Sequence, residues 1–233
     1  MTKLISIVGA TSLQGGSVLK ALYATGKYKS IELVKADADD TASLRQAFRG
    51  ADIVFGMTQA NMMAKDQDST RDEEYEHGKT IIDSAISEGV NSLVFSTLDS
   101  MNTNSGGSKS DQSRGYFVNA GLYMENFVRF SRLSPEDAHH LGAVVSHILD
   151  HSEENLSKVR EVSGGYYEAQ EIVSAFTEAT GIPARYVQLP YEYLGVEEAV
   201  QMFKGIDDFG SFNGRTELIE RNKLIDYKFT TPV

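Results

Sequence analysis

The 233-residue chain contains no cysteine and no tryptophan, and only four of its residues are proline. Without cysteine there is no disulfide, no thiolate zinc site and no cysteine nucleophile, so the five histidines matter more. The chain also has no 18-residue apolar run and no basic-then-apolar leader after Met1. These absences predict a soluble cytoplasmic protein without a membrane among its partners.

Positive charge is scarce as well. The chain has 22 lysines and arginines against 33 aspartates and glutamates, which gives a formal net charge of −11. Proteins that bind nucleic acid through its phosphates need a basic patch or stripe, and the sequence shows none. We therefore expect no direct contact with nucleic acid, and any regulatory role would act through contacts with other proteins.

What the chain does contain is an apolar strand that leads into a glycine-punctuated turn and then a helix, within Leu4–Leu22. Glycine lets the backbone turn tightly and approach a phosphate, and the first N–H groups of the helix point at negative charge. The segment therefore predicts a dinucleotide site, with backbone donors from Thr11 to Gly15 facing the pyrophosphate.

Short strands alternate with helical patterns, which is typical of an α/β fold with a doubly wound parallel sheet and helices on both faces. Strands are predicted at Lys3–Val8, Ile31–Lys35, Asp52–Gly56, Ser92–Ser96, Tyr116–Asn119, Val159–Ser163 and Ala184–Leu189, and helices after Thr41 and at Glu73–Glu88, Leu141–Leu149, Glu168–Thr180 and Val196–Lys204. We predict a main domain over 1–133 and a smaller α/β cap, for a substrate or a partner, over 134–233.

Five sequence blocks follow one another in a specific order: Val8–Val18, Gly50–Thr58, His77–Asp83, Leu93–Leu98 and Asn119–Phe127. Together they resemble the NmrA-like family of the atypical short-chain dehydrogenase/reductase superfamily, over most of residues 3–130. The resemblance implies a Rossmann fold that binds NAD or NADP. Several family members use the dinucleotide as a signal of redox state and act on a transcription factor or an enzyme by protein contact, whereas others are reductases.

The resemblance also implies where the cofactor binds. Asp37 would border the adenine, and the segment Asn119–Phe127 would form the nicotinamide side of the cleft and couple the cofactor to the partner surface. The complete set of expected cofactor-binding residues is Gly9, Thr11, Ser12, Leu13, Gln14, Gly15, Asp37, Thr58, Gln59, Ser96, Thr97, Asn119, Gly121, Tyr123 and Met124. A regulatory member could be nuclear as well as cytoplasmic.

The catalytic pair of a short-chain reductase would be a tyrosine four residues before a lysine, placed after the strand that ends at Ser96. Tyr75 and Lys79 have this spacing, but they precede that strand, and we interpret them as an exposed turn of a helix. Lys109 follows the strand without a tyrosine at the required distance. We assign no catalytic residue and favour a redox-sensing regulator. The alternatives are a reductase of a small carbonyl or quinone, and a dinucleotide fold that serves only as a binding module.

The sequence departs from the family at several places. Ser12 stands where the family has glycine, which predicts weaker binding unless its hydroxyl contacts the ligand. The connections near residues 27–32, 110–116 and 134–139 are too short for the crossover units expected there. We interpret them as places where segments are missing from this sequence, in preference to three natural deletions. The residue that chooses between NAD and NADP would follow the absent second strand.

His147 and His151 lie one helical turn apart, as metal ligands can. The adjacent glutamate of a zinc hydrolase motif is not there, so the pattern favours a solvated helix end, and we assign no metal ligand.

Overall fold

A computed structural model describes residues 3–28, 32–59, 67–97, 115–120, 139–163 and 167–195, together with six isolated positions between 200 and 225. Its strands are β1 (Ile5–Ile7), β2 (Ile53–Gly56), β3 (Ser92–Thr97), β4 (Gly115–Ala120) and β5 (Val159–Val162). Its α-helices are α1 (Leu13–Ala24), α2 (Thr41–Phe48), α3 (Gln67–Ser87), α4 (His139–Asp150), α5 (Ser152–Asn155) and α6 (Ala169–Thr180).

The five strands form one parallel sheet in the order β1-β2-β3-β4-β5. Ile7 lies opposite Phe55, and Phe55 lies opposite Val94 in the next strand. Because all strands run in the same direction, their carboxyl ends meet at one edge of the sheet, where open α/β sheets bind ligands. This is the α/β parallel-sheet architecture that the sequence predicts.

Helices cover both faces of the sheet. On one face, Val54 and Phe95 are buried in a cluster with Phe48 of α2 and Ile81 of α3. Side chains alternate along a strand, so Ser96 faces the other way, and its hydroxyl donates to Gln14 Oε1 of α1 at 2.8 Å. A buried side chain such as that of Phe48 contributes roughly 1.5–3 kcal/mol to folding.

On the second face, α1 and α4 approach each other closely. The Gly142 N–H donates to Ser17 Oγ at 3.0 Å, and a Cβ atom at Gly142 would lie only 2.3 Å from the Ser17 carbonyl oxygen. Only glycine therefore fits at this crossing. The contact fixes α4 against the helix that begins at the glycine turn.

The predicted strand at Ile31–Lys35 is wrong for the residues that the structure describes. Residues 32–36 have no regular structure, and Leu33 and Val34 are 71% and 51% exposed, while Ile31 lies outside the described residues. The segment has the apolar composition of a strand. A strand also needs hydrogen-bonded neighbours, and the structure shows none beside it, since β1 is the last strand at this edge of the described sheet.

The predicted strand at Ala184–Leu189 is likewise not formed. Residues 181–190 have no regular structure, and Val187 and Leu189 are more than half exposed. Of the predicted helix at Val196–Lys204, only Val200, Phe203 and Lys204 are described, and these three are helical.

The chain divides into two compact units, Met1–Val162 and Ser163–Val233. α4 and β5 belong to the first unit, because β5 pairs with β4 in the sheet. In the second unit, α6 begins with a capping box formed by Glu168 and Glu171 and ends at Gly181 in the left-handed conformation. The predicted division into a main domain over 1–133 and a smaller α/β cap over 134–233 stays a prediction.

In the part of the chain that the structure describes, no helix combines the length and the apolar character needed to cross a membrane.

Candidate functional site

A cleft of about 460 Å³ opens beside the glycine turn, where β1 and β2 end. Four segments line it: the β1–α1 turn, the loop before α2, the residues after β2, and one face of α3. The lining residues are Val8, Gly9, Ser12, Ala38, Met57, Thr58, Gln59, His77 and Ile81. Four of the expected cofactor-binding residues, Gly9, Ser12, Thr58 and Gln59, thus lie together.

The first wall of the cleft is a backbone turn that needs two glycines. Gly9 has φ of +66°, a conformation that other residues rarely adopt. A Cβ atom at Gly15 would lie 2.2 Å from the Gly9 carbonyl oxygen and 2.9 Å from that of Val8. The start of α1 is therefore packed directly against the end of β1, closer than any side chain permits.

Ser12 organises the first turn of α1. Its backbone N–H donates to the Gly9 carbonyl oxygen at 2.8 Å, and its Oγ accepts from the Gly15 N–H at 3.2 Å. The backbone donors predicted from Thr11 to Gly15 are thus not equivalent, because the N–H groups of Ser12 and Gly15 already have partners within the turn. The N–H groups of Leu13 and Gln14 belong to the first helical turn, which offers no partner within the helix, and can serve an anion.

Met57 is a residue that the sequence analysis missed. It follows β2, lines the cleft, and places its Sδ atom 3.6 Å from Ser12 Oγ. A Cβ atom at Gly9 would lie 3.1 Å from the same sulfur. Met57 thus packs against the glycine turn where the turn borders the cleft. Its only sequence signal is its place just after the buried strand β2.

The second wall is formed by one face of α3. Glu74, His77 and Ile81 are spaced by three and four residues, which places them on the same side of the helix. The Glu74 carboxylate accepts a hydrogen bond from Thr58 Oγ1 at 2.6 Å, and His77 Nε2 lies 2.8 Å from Asp39 Oδ1. The two pairs connect α3 to the loops on either side of the cleft.

Asp37 holds its own loop in shape. Its Oδ1 accepts from the Asp39 N–H at 3.2 Å, and its backbone N–H donates to Ser43 Oγ at 2.9 Å. The next residue, Ala38, lines the cleft. The helix that follows is capped by Asp40, whose carboxylate accepts from the N–H groups of Ala42 and Ser43.

The remaining expected residues lie at other places. Ser96 is hydrogen-bonded to Gln14, which joins the carboxyl end of β3 to the first turn of α1. Thr97 and Asn119 are register partners on neighbouring strands. Thr11 and Leu13 are exposed on the turn. Gly121, Tyr123 and Met124 lie outside the described residues.

Tyr75 and Lys79, which have the spacing of a reductase pair, lie on α3 as predicted. Tyr75 is 68% exposed, and neither residue lines the cleft. The exposed-helix interpretation is therefore confirmed.

The profile of the NmrA-like family matches residues 1–113. This part of the chain is similar to the NmrA-like family. The NmrA-like match includes the glycine turn, the whole of α3 and β3, and it ends before the block Asn119–Phe127.

Curated relatives carry the same family name. An NmrA-like family domain-containing oxidoreductase of Aspergillus flavus, lnaB, is 29% identical over 163 residues, which are 54% of this chain and 48% of the relative. The corresponding oxidoreductase ptmS of Penicillium ochrochloron is 32% identical over 114 residues, 41% of this chain and 34% of the relative. The matched segments thus span about half or less of these relatives.

Solved structures show the same fold over the whole chain. NmrA, a negative transcriptional regulator, aligns with a TM-score of 0.73 at 14% identity, covering 100% of this chain and 94% of NmrA. The triphenylmethane reductase of Citrobacter sp., solved with NADP(H), aligns with a TM-score of 0.71 at 16% identity, covering 98% and 97%. These likenesses confirm the predicted Rossmann-type α/β fold.

Proposed function

We propose that the cleft beside the glycine turn binds a nicotinamide dinucleotide, with its pyrophosphate at the start of α1. The observation that supports this most is the position of Gly15, where a Cβ atom would meet the Gly9 carbonyl oxygen at 2.2 Å. The absence of side chains at Gly9 and Gly15 lets a ligand reach the backbone N–H groups of the helix. NmrA itself has been solved with NAD and with NADP.

The residues present fit such a cofactor. The N–H groups of Leu13 and Gln14 would hold the pyrophosphate, and the partial positive charge at the start of a helix would favour it. Thr58, Gln59 and His77 offer polar groups on the opposite side of the cleft. When bound, the dinucleotide supplies either a hydride or a report of the redox state of its nicotinamide.

We further propose that the protein is a redox-sensing regulator that acts on a protein partner. The support is chemical: Lys109 follows β3 in the sequence, but Ser105 occupies the position four residues before it, where the tyrosine of a reductase pair would stand. Tyr75 is exposed on α3 outside the cleft. A regulator of this kind needs a cofactor whose two redox states favour different loop arrangements, because a ligand shifts an equilibrium only through differential affinity.

The second candidate function is an NAD(P)H-dependent reductase of a small carbonyl or quinone. The curated relatives favour it, since they are named oxidoreductases. A reductase would need a proton donor other than a tyrosine–lysine pair placed after β3.

Two measurements test these proposals. Calorimetric titration with NAD, NADH, NADP and NADPH should show saturable binding of at least one of them, and binding by none at millimolar concentration would overturn the cofactor proposal. Oxidation of NADPH and NADH should then be followed with a panel of quinones and aldehydes. We expect no turnover, whereas a turnover number in the ordinary enzyme range of roughly 1–1000 per second would establish the reductase instead.

A further inference from the structure

The thioether of Met57 is hydrogen-bonded to the glycine turn. Its Sδ atom accepts from Ser12 Oγ at 3.6 Å, and Ser12 Oγ in turn accepts from the Gly15 N–H at 3.2 Å. A short chain of hydrogen bonds therefore connects the first turn of α1 to the sulfur atom. The chemical state of this sulfur thus bears directly on the cap of the helix.

Met57 is also accessible from the solvent. Its side chain is only partly buried, and it lines the cleft beside the glycine turn. The sequence has no cysteine, so its sulfur is carried by seven methionines, of which Met57 is the one that falls among the described residues. Peroxides convert an accessible thioether to a polar sulfoxide, and methionine sulfoxide reductases reverse the change.

The contact with the turn leaves little room for an added oxygen atom. A Cβ atom at Gly9 would already lie 3.1 Å from the sulfur, so an oxygen on Sδ must either point into the cleft or push the turn aside. Inside the cleft, the partial negative charge of this oxygen would repel a pyrophosphate. Directed at the turn, it would draw the Ser12 hydroxyl more strongly than the weakly accepting thioether does. Either arrangement weakens the site.

We propose that Met57 is a peroxide-sensitive modification site, and that its oxidation and the binding of a dinucleotide oppose each other. The inference rests on the dinucleotide cleft proposed above. The sulfur forms a bond to one oxygen of hydrogen peroxide, the O–O bond breaks, and the other oxygen leaves as water with both hydrogens. The sulfur loses two electrons, which the peroxide gains. A bound dinucleotide covers the sulfur and slows this reaction, whereas the sulfoxide weakens dinucleotide binding.

The test treats the folded chain with hydrogen peroxide and measures the oxidation of each methionine by peptide mass spectrometry. Met57 should be converted to the sulfoxide, and a saturating dinucleotide should slow its conversion. The affinity of the oxidised protein should fall about tenfold or more by calorimetric titration, and reductases for both sulfoxide epimers should restore it. No conversion of Met57, or unchanged affinity after its full conversion, would overturn the proposal.

Met57→Leu is the matched control, because leucine has a similar volume and no sulfur to oxidise. Each protein is compared with itself before and after peroxide treatment. Met57→Leu should keep its own starting affinity, although its remaining methionines are still exposed to the oxidant. An equal loss of affinity in the variant and the unchanged chain would place the effect at another methionine and would overturn the proposal.

A measurement without ligand separates this inference from the cofactor proposal. Oxidation should lower the unfolding temperature of the unchanged chain more than that of Met57→Leu, because the sulfoxide disturbs the packing against the glycine turn. Absence of dinucleotide binding in untreated protein would overturn the cofactor proposal, and the unfolding temperatures would then decide whether the sulfur controls the turn. Equal shifts in the two proteins would overturn the present inference.

Discussion

The two walls of the cleft are built by different means. The glycine-turn wall uses backbone groups of one short segment, in which Ser12 N–H reaches Gly9 and Gly15 N–H reaches Ser12 Oγ. The α3 wall uses side chains that are far apart in sequence, Thr58 with Glu74 and Asp39 with His77. The first wall therefore depends on the absence of side chains, whereas the second depends on their identity.

The walls also differ in charge. The start of α1 offers partial positive charge from its N–H groups, and no acidic residue stands in the first turn of that helix. The segments of the opposite side carry the carboxylates of Asp37, Asp39 and Glu74, although none of these three residues lines the cleft. A pyrophosphate with two negative charges is attracted by the N–H groups of the first wall. We therefore expect substitutions in the glycine turn to lower dinucleotide affinity strongly, and substitutions on α3 to change it less.

The largest effect is expected from Gly15→Ala. The new Cβ would lie 2.2 Å from the Gly9 carbonyl oxygen, so the turn must move away from its present form. We expect the free energy of unfolding to fall by roughly 2–4 kcal/mol. Dinucleotide affinity should fall about 100-fold, which corresponds to roughly 3 kcal/mol. Urea unfolding and calorimetric titration measure the two effects.

Gly16→Ala is the matched control for this change. The adjacent Cβ would lie 3.4 Å from the Ala10 carbonyl oxygen, an ordinary contact, and alanine favours the helix by about 1 kcal/mol over glycine. This variant should bind normally and be at least as stable as the unchanged chain. If both variants behaved alike, the close approach of Gly15 to Gly9 would not matter for the site.

A pair of substitutions at Ser12 should separate stability from binding. Ser12→Ala removes the cap of α1 and should cost about 1 kcal/mol of stability, yet it frees the Gly15 N–H and should leave dinucleotide affinity nearly unchanged. Ser12→Asp keeps a capping acceptor, but its carboxylate would repel the pyrophosphate. We expect normal stability and weaker binding, measured by the same two methods. Loss of binding in Ser12→Ala would instead assign the hydroxyl itself to the ligand.

Smaller effects are expected from the side-chain pairs of the α3 wall. Double-mutant cycles with alanine, measured by urea unfolding, give the coupling energy of each pair. The partly buried bond between Thr58 and the Glu74 carboxylate should give about 1–3 kcal/mol. The His77–Asp39 pair should give less than about 1 kcal/mol, because the Asp39 side chain is 81% exposed. A larger coupling energy for His77–Asp39 than for Thr58–Glu74 would mean that exposure to solvent does not govern the strength of these contacts.

The glycine turn could be predicted from the sequence because its causes are local. Gly9, Ser12 and Gly15 lie within seven residues, and the strand before them and the helix after them form as expected. The cleft residues Met57 and His77 were missed because their role depends on contacts between distant segments. A usable signal existed for His77, since it shares a helix face with the buried Ile81 in a predicted crossover helix.

Residues 32–36 show the opposite case. Their apolar residues predicted a strand, but strand formation depends on a neighbour to pair with, which local composition does not report. The described part of the chain contains no strand beyond β1 at this edge. The interpretation that segments are missing near residues 27–32, 110–116 and 134–139 agrees with the exposure of Leu33 and Val34 and stays a prediction. An intact-mass measurement on the natural protein, compared with 25.6 kDa for these 233 residues, would test it.

The smallest expected effect is the change that dinucleotide binding at the glycine turn causes in a partner surface. Ser96 near the end of β3 donates a hydrogen bond to Gln14 in the first turn of α1, so a ligand on that turn is connected to the carboxyl end of β3. If the protein is a sensor, the nicotinamide must also contact the segment after β4. Hydrogen exchange should then show added protection over 97–114 and 121–127 when the favoured dinucleotide is bound, and less with its other redox form. ADP-ribose, which keeps the pyrophosphate and lacks the nicotinamide, is the matched control and should protect only residues 9–18. Protection confined to 9–18 with every ligand would show that the cofactor is held by its phosphates alone, and the regulatory proposal would lose its mechanism.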